Sequence, residues 1–328
     1  MNITVLGAGA WGTTIASILA KNGLKVVLWS YEKDVTDNIN GKKENTKYLP
    51  GINLSQNIMA TTDLISSINS SGMIVSVIPT QFLRSTLQNR SAELSGKTIL
   101  SASKGIEKDS LNLPSEIIID IAPDSNIAVL SGPNLSKEIA MGLPAASVIA
   151  CKDLNIAKDI QMVIKSEAFR VYTSDDIIGV ELGGALKNVI AIAAGICDGL
   201  GLGNNAKSAL IVRGMAEISR LGLKYGAKAE TFAGLTGMGD LITTCQSNLS
   251  RNHYVGENLA KGMSLEEILK TLKGIPEGVE TSMSAMELSK KTGIEMPICN
   301  EVYNVLFSKK DPKNAILSLM TRESKRES

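Results

Sequence analysis

The feature that most constrains this chain is a glycine-rich segment directly behind its first apolar run. Residues 2–6 read as a short buried strand, and residues 7–12 follow it with the spacing Gly-x-Gly-x-x-Gly. A helical pattern over residues 13–20 ends at an Asn-Gly pair, and a second apolar strand covers residues 26–29. Strand, glycine motif, helix and strand within about thirty residues indicate a dinucleotide-binding βαβ unit.

Each glycine of this motif has a physical role. Gly7 allows a tight turn, Gly9 lets the backbone approach a pyrophosphate, and Gly12 lets the helix pack closely on the strand. The phosphates would then bind free N–H groups at the positive end of the helix. A bare glycine motif could also be an ordinary turn, but its place between strand and helix favours a dinucleotide.

Apolar runs recur along the first half of the chain with helical patterns between them. This alternation predicts a mainly parallel sheet. Besides the first two strands, we predict strands at residues 57–61, 73–78, 97–102, 127–130, 146–150 and 169–173, with helices at 82–94, around 116–119 and between the last two strands.

The alternation stops near Asp176, and the periodicity from residue 177 onward is helical. The segment 179–197 is apolar and rich in small residues, which lets helices pack very closely. Further helices are predicted at residues 206–224, 253–261, 264–273, 281–291 and 297–308. We therefore predict an α/β chain, in which a Rossmann-like domain (1–176) precedes an all-α domain (177–328) with a frayed, charged tail.

Composition excludes several classes of function. A net charge of +1 argues against nucleic-acid or membrane-surface binding through global charge. The four cysteines form no C-x-x-C pair and there is one histidine, so we expect neither a metal site nor a disulfide framework. No apolar run approaches the roughly 18 residues of a membrane span, and we expect no signal peptide because the first strand starts at residue 2. We expect a cytoplasmic protein without an integral membrane segment.

A nicotinamide enzyme that acts on an alcohol needs a group to transfer the hydroxyl proton. Lysine can do so when burial or a neighbouring cation lowers its pKa toward neutrality. Lys104 follows the fifth strand at the carboxyl edge of the sheet, and Lys187 interrupts an apolar helix. The alternatives are an ordinary loop lysine for Lys104 and a side chain that extends to solvent for Lys187.

Two polar stretches in the helical half could bind a substrate. A glycine-rich turn over residues 234–241 presents Asp240, and Ser250, Arg251 and Asn252 open the next helix. A helix start with a forked guanidinium suits a phosphate. The alternatives are a loop with a capping Asp240, and Ser250 as a simple N-cap beside a solvated Arg251. We expect a structural role for His253.

The residues at the tip of the second strand do not decide between NAD and NADP. An acidic residue there would bind the ribose 2′-hydroxyl of NAD, and a basic one would suit the 2′-phosphate of NADP. The sequence offers Trp29 and Ser30, with Glu32 and Lys33 just beyond. The signal is mixed.

Taken together, these stretches resemble the bacterial NAD(P)-dependent glycerol-3-phosphate dehydrogenases. Seven ordered motifs carry the resemblance, and such a set is far more specific than any one of them. They are residues 7–13 (GAGAWGT), 103–107 (SKGIE), 131–138 (SGPNLSKE), 181–188 (ELGGALKN), 237–241 (GMGDL), 250–252 (SRN) and 276–278 (PEG).

The resemblance implies reversible reduction of dihydroxyacetone phosphate to sn-glycerol 3-phosphate for phospholipid synthesis, in a cleft between two domains of a homodimer. It implies that Lys187 is the general acid and base. Substrate contacts would come from Lys104, Gly132, Asn134, Lys187, Asp240, Ser250, Arg251 and Asn252. Contacts to NAD or NADP would come from Gly7, Gly9, Ala10, Trp11, Gly12, Tyr31, Lys104, Ser136, Arg251, Ile275 and Glu277.

Some positions depart from the commoner family pattern. Asn134 and Ser136 stand in place of a more usual Ser/Thr and Ala, and Ala10 replaces a frequent Ser; both changes are conservative for backbone contacts. Tyr31 stands where many members have Arg or His, so the preference between NADPH and NADH stays open.

The sequence leaves two alternative functions to weigh against this one. A reductase of β-hydroxyacids or of the ketopantoate type would keep the fold and the lysine pair. The site around Arg251, the Asp240 turn and the full motif order speak against it. A cofactor-binding regulator without turnover would need only the first glycine motif, so Lys104, Lys187 and Asp240 together argue against that function.

Overall fold

The structure, a computed structural model, describes residues 2–324 and 326. Met1 and part of the predicted tail, namely Lys325, Glu327 and Ser328, lie outside the described residues. All eight predicted strands are present, with ends that differ from the prediction by at most two residues. They are β1 (Asn2–Leu6), β2 (Lys25–Trp29), β3 (Ile58–Thr61), β4 (Met73–Ser76), β5 (Thr98–Ser101), β6 (Asn126–Ser131), β7 (Ala145–Cys151) and β8 (Phe169–Ser174).

The strands form one sheet in the order β3-β2-β1-β4-β5-β6-β7-β8. Every neighbouring pair is parallel except β6 and β7, which run antiparallel. Separate apolar clusters cover the two faces, since Ile3 and Val5 belong to one cluster and Leu6 and Ile74 to another. The mainly parallel, Rossmann-like sheet is therefore confirmed.

Eight helices connect these strands. They are α1 (Ala10–Lys21), α2 (Lys33–Lys42), α3 (Leu64–Asn69), α4 (Thr80–Leu87), α5 (Ser91–Leu94), α6 (Pro114–Ile121), α7 (Ser136–Ala140) and α8 (Leu154–Ile164). The prediction of one helix over residues 82–94 is wrong. The backbone turns at Gln88 and Asn89 between α4 and α5, since Asn is unfavourable inside a helix. The sequence analysis also missed α2, whose buried stripe is narrow and contains Val35 and Ile39.

The second half is helical, as predicted. It contains α9 (Ile177–Gly199), α10 (Gly203–Lys224), α11 (Ala229–Ala233), α12 (Asp240–Gln246), α13 (Arg251–Ala260), α14 (Leu265–Thr271), α15 (Glu277–Thr292), α16 (Pro297–Phe307) and α17 (Pro312–Met320), with a π-helical turn at Leu235–Gly239. Asp176 caps the start of α9 by accepting a hydrogen bond from the Gly179 backbone at 2.9 Å. The predictions did not include α11, α12 or α17, which have nine residues or fewer.

Helix α9 lies at the centre of the helical half and is buried from Gly179 to Cys197. Helices α10, α12, α13, α15 and α16 pack around it. Contrary to our expectation, α9 is long and apolar enough to cross a membrane, by length and composition alone. However, 89% of its most apolar 18-residue window is buried inside the protein, as in the core helix of a globular protein.

Helices α9 and α13 cross with their backbones in close contact. A Cβ atom on Gly256 would lie 1.9 Å from the Ile192 carbonyl oxygen, and one on Gly195 would lie 2.0 Å from the His253 carbonyl oxygen. Any larger residue at these positions would have to push the helices apart. The predicted close packing of small residues is confirmed at this crossing.

A buried carboxylate ties α9 to the sheet half. Glu181 accepts hydrogen bonds from the Ser115 backbone N–H at 2.9 Å and from the Ser115 hydroxyl at 2.5 Å, at the start of α6. Burial raises the pKa of Glu181 to about 8, while the two Ser115 donors oppose the shift. The start of α9 is thereby fixed against the sheet half.

We predict that Gly256→Ala lowers the free energy of unfolding by about 1–3 kcal/mol or more, because the new methyl group must displace the α9 backbone. Gly41→Ala is the matched control: Gly41 lies in α2 with open space around its Cβ position. That change should be neutral or stabilise by about 0.4–1 kcal/mol. Denaturant titrations of both variants measure the difference, and wild-type stability in Gly256→Ala would contradict the close crossing.

Candidate active site

The glycine motif has the geometry that its spacing predicts. Gly7 has a φ of +109°, and a Cβ there would lie 2.8 Å from the Val77 carbonyl oxygen. A Cβ on Gly12 would lie 1.8 Å from the Gly7 carbonyl oxygen, so both positions exclude a side chain. Gly9, at the N-cap of α1, has open space on its Cβ side. A pyrophosphate could approach there and meet the free N–H groups of α1, so these residues fit a dinucleotide.

Other predicted cofactor residues surround this loop. Ala10 and Trp11 are the first residues of α1, and the buried Trp11 Nε1 has no hydrogen-bond partner among the described residues. Ser136 begins α7, and its carbonyl oxygen accepts a bond from the Thr14 hydroxyl of α1 at 3.1 Å. Tyr31 lies apart from this packing, since 88% of its surface is exposed.

Lys104, Lys187 and Asp240 form one buried ion cluster. Asp240 Oδ1 accepts a hydrogen bond from Lys187 Nζ at 2.6 Å, and Asp240 Oδ2 accepts one from Lys104 Nζ at 2.7 Å. The Asp240 side chain is 1% exposed, and those of Lys187 and Lys104 are 7% and 11% exposed. Lys187 therefore does not extend to solvent, and Asp240 does more than cap α12.

The cluster has a net charge of +1, from two ammonium groups and one carboxylate, when both lysines are protonated. Burial and the nearby Lys187, opposed by Asp240, together lower the pKa of Lys104 to about 8. Such a cluster attracts anions and holds a lysine that can exchange a proton near neutral pH.

Gly132 and Asn134 complete the environment of Lys104. The Gly132 carbonyl oxygen and Asn134 Oδ1 accept from Lys104 Nζ at 3.0 and 2.7 Å. Gly132 has a φ of +145°, and a Cβ there would lie 2.8 Å from the Ser147 Cα, so only glycine fits. Asn134 Nδ2 is buried without a partner in the described part of the chain, which leaves its two N–H donors for a ligand.

Two side chains in the site were missed by the sequence analysis. The Thr244 hydroxyl accepts from Lys187 Nζ at 2.7 Å, and Asn188 Oδ1 accepts from Asn252 Nδ2 at 2.9 Å. Thr244 follows Asp240 by one helical turn, so a pattern of two polar residues four apart could have indicated it. Asn188 is the last residue of the motif at 181–188, directly after Lys187.

The three residues of the predicted phosphate site at the start of α13 differ in how far their side chains are already engaged. Ser250 is the N-cap and accepts from the His253 backbone N–H at 3.2 Å. Asn252 is buried and engaged, because it donates to Asn188 and its Oδ1 accepts from the Gly278 backbone at 3.0 Å. Arg251 is solvent-accessible, and its guanidinium lies directly over Gly274. Arg251 is thus the most available ligand group of the three.

Ile275 and Glu277 lie across the cleft from the sheet edge. Glu277 Oε1 accepts from the Thr80 backbone N–H at 3.1 Å, which joins α15 to the start of α4. A cavity of about 580 Å³ opens here, lined by both halves, with Pro79, Thr80 and Gly105 on one side and Ile275 and Glu277 on the other. These two predicted cofactor residues therefore border a space between the halves.

His253 is separate from this chemistry. Its Nε2 lies 2.7 Å from Asp198 Oδ2, and Lys207 Nζ lies 2.8 Å from the same oxygen. Asp198 follows Lys187 by eleven residues of α9, which corresponds to about 16 Å along a helix. His253 fastens α13 to the end of α9. Among residues 2–324 and 326, no group of three or more His, Cys, Asp or Glu could hold a metal ion, and the cysteines are buried and free.

Comparisons with known proteins agree along the whole chain. Family models described as the N-terminus and the C-terminus of NAD-dependent glycerol-3-phosphate dehydrogenase match residues 2–157 and 176–317. A glycerol-3-phosphate dehydrogenase (NAD(P)+) of Syntrophotalea carbinolica is 47% identical, over 100% of this chain and 99% of the relative. One from Citrifermentans bemidjiense is 46% identical, over 99% and 98%. A crystal structure of glycerol-3-phosphate dehydrogenase from Coxiella burnetii is 38% identical, with a TM-score of 0.95 and coverage of 98% and 99%.

Proposed function

The chain belongs to the family of NAD-dependent glycerol-3-phosphate dehydrogenases, and we propose that it is an oxidoreductase of this kind. It interconverts sn-glycerol 3-phosphate and dihydroxyacetone phosphate with NAD or NADP, and its product supplies phospholipid synthesis. Membership of this family also decides against a ketopantoate-type reductase, which would act on an acid without a phosphate. The observation that best supports the reaction is the cationic cluster of Lys187, Asp240 and Lys104.

In this proposal Lys187 is the general acid and base. During reduction it donates a proton to the C2 oxygen of dihydroxyacetone phosphate, and during oxidation it removes the proton from the C2 hydroxyl. Its positive charge stabilises the oxyanion that forms at C2. Asp240 and Thr244 hold the ammonium group in place. The nicotinamide, when bound, supplies or accepts the hydride at C2.

Arg251, Lys104 and Asn134 would bind the substrate. The guanidinium of Arg251 suits the phosphate because it can make two charge-assisted hydrogen bonds. Asn188 follows Lys187 in the sequence and Asn252 follows Arg251. The hydrogen bond between these two amides therefore holds the two proposed substrate-binding side chains at a fixed separation. Ser250 and Asn252 support this geometry, and Gly132 shapes the wall beside Lys104.

The larger assembly is also part of the proposal. We place the boundary between the two domains at residue 176, with the cofactor on the first domain and Lys187 on the second, and we assign the enzyme to the cytoplasm. We further propose a homodimer built through the helical domain. Sedimentation should give about twice the chain mass at micromolar concentration, and a monomer alone would contradict the dimer.

Lys187→Met tests the reaction and its catalytic group together. Wild-type protein should oxidise NADH or NADPH only when dihydroxyacetone phosphate is present, as measured by absorbance. The variant keeps the length of the side chain but not its charge, so turnover should fall by about 10²–10⁴-fold. Asp240 keeps Lys104 as a partner, so the variant should still melt cooperatively.

Lys224→Met, at the exposed end of α10, is the matched control and should retain full turnover. If wild-type protein oxidised neither cofactor, the reaction would be wrong. If the folded Lys187→Met variant kept turnover within threefold of wild type, the lysine mechanism alone would be wrong.

Arg251→Ala tests the phosphate contact. Losing a charge-assisted hydrogen bond should cost roughly 1.5–3 kcal/mol of substrate binding, which raises KM for dihydroxyacetone phosphate by about 10- to 150-fold. Arg213→Ala removes the same charge from the exposed face of α10 and should leave KM unchanged. An unchanged KM for substrate and for cofactor in Arg251→Ala would exclude both predicted contacts.

A further inference from the structure

Three side chains form a polar cluster beyond the end of β2. The Tyr48 hydroxyl donates to Glu32 Oε2 at 2.7 Å, and Lys47 Nζ donates to Glu32 Oε1. Both oxygens of Glu32 therefore hold a donor, while its side chain remains 31% exposed. We name these residues, Glu32, Lys47 and Tyr48, the β2-tip cluster.

The β2-tip cluster lies beside the glycine loop. The Gly7 backbone donates to the Trp29 carbonyl oxygen at 3.0 Å, so the end of β2 adjoins the loop. Asn45 Nδ2 donates to the Ala8 carbonyl oxygen at 2.8 Å, and Asn45 Oδ1 accepts from the Tyr48 backbone. In a Rossmann domain the adenosine ribose binds between these two features, and the acid that recognises it follows the motif by about 20 residues. Glu32 has this position.

The charges near this position disfavour a 2′-phosphate. Lys47 Nζ is shared by Glu32 and by Asp34, whose Oδ2 is 3.7 Å away, so the three groups carry a net charge of −1. Lys33, which follows Glu32 in the sequence, pairs with Asp37 at 2.8 Å.

Arginine, the residue that usually accommodates a 2′-phosphate, is absent from residues 1–83 of the sequence. The first arginine, Arg84, is paired with Glu107 and Asp120. The βαβ unit therefore provides no forked cation for a phosphate.

We propose that Glu32 selects NAD(H) over NADP(H), by accepting a hydrogen bond from the ribose 2′-hydroxyl and repelling a 2′-phosphate. This inference rests on the proposed function and assigns the cofactor that the sequence left open. An ionised carboxylate has about four lone-pair sites, so two remain after Tyr48 and Lys47 are satisfied. Tyr48 and Lys47 act as positioning residues that hold the carboxylate toward the ribose.

The same contacts explain why Lys47 does not reverse the preference. The hydrogen bond to Glu32 raises the pKa of Lys47, which keeps the ammonium group protonated and bound to the carboxylate. To bind a 2′-phosphate, Lys47 would have to leave Glu32, and the phosphate would then face that unpaired carboxylate. Tyr31, at 88% exposure, adds no cation.

Cofactor binding without turnover tests this directly. Titration of the wild-type protein with NADH and with NADPH, followed by nicotinamide fluorescence, should give a Kd at least about tenfold lower for NADH. Competition by 5′-AMP and by adenosine 2′,5′-bisphosphate should show the same order, which locates the discrimination at the adenosine end. Glu32→Gln should reduce the ratio of the two dissociation constants to below about threefold, and Glu32→Arg should invert it.

These variants should fold, because the Glu32 side chain makes no capping bond to α2. Asp159→Asn removes the same charge from the exposed face of α8 and should leave the ratio within twofold of wild type. Equal changes in Glu32→Gln and Asp159→Asn would overturn the proposal, since net charge alone would then set the preference. Equal or tighter binding of NADPH by wild type would overturn it and leave the dehydrogenase function intact. Binding of neither cofactor would overturn both.

Discussion

The candidate active site depends on a single carboxylate held between two ammonium groups. Asp240 is almost completely buried, and an uncompensated charge in such a place is strongly destabilising. Each of its oxygens therefore binds a lysine, one from the sheet edge and one from α9. As a result, Lys104 and Lys187 are fixed relative to each other before any substrate binds. Their excess positive charge is retained for an anionic ligand.

This arrangement is possible because adjacent glycines in α9 admit both neighbours. A Cβ on Gly183 would lie 2.8 Å from the Thr236 carbonyl oxygen, in the turn that leads to Asp240. A Cβ on Gly184 would lie 2.6 Å from Ser131 Oγ, at the end of β6, and 3.5 Å from the Lys104 side chain. Larger residues would separate α9 from the turn and from the sheet. The two glycines thus allow the close packing that brings Lys187 next to Asp240 and Lys104.

The sequence predicts the elements better than their contacts. Eight strands and the glycine motif follow from local patterns, because an apolar run buried on both faces and a turn without side chains have strong signatures. Lys187 could be noticed because a charge is rare in an apolar helix. Its partner Asp240 lies 53 residues further along the chain, and no local pattern connects the two. Likewise, the pairing of Glu32 with Lys47 and Tyr48 arises from a loop that packs against the glycine motif, which the sequence shows only as a polar stretch.

Ligand recognition in this chain depends on local charges at the two ends of the cleft. The chain carries a net charge of +1, which gives little long-range steering of any ligand. At one end, Lys104 and Lys187 share the single carboxylate of Asp240 and suit an anionic substrate. At the other, Glu32 and Asp34 share one ammonium group and suit a neutral ribose. Both ligands of the proposed reaction carry phosphates, and the role proposed for Glu32 would let the enzyme accept a phosphate on the substrate and refuse one on the ribose of the cofactor.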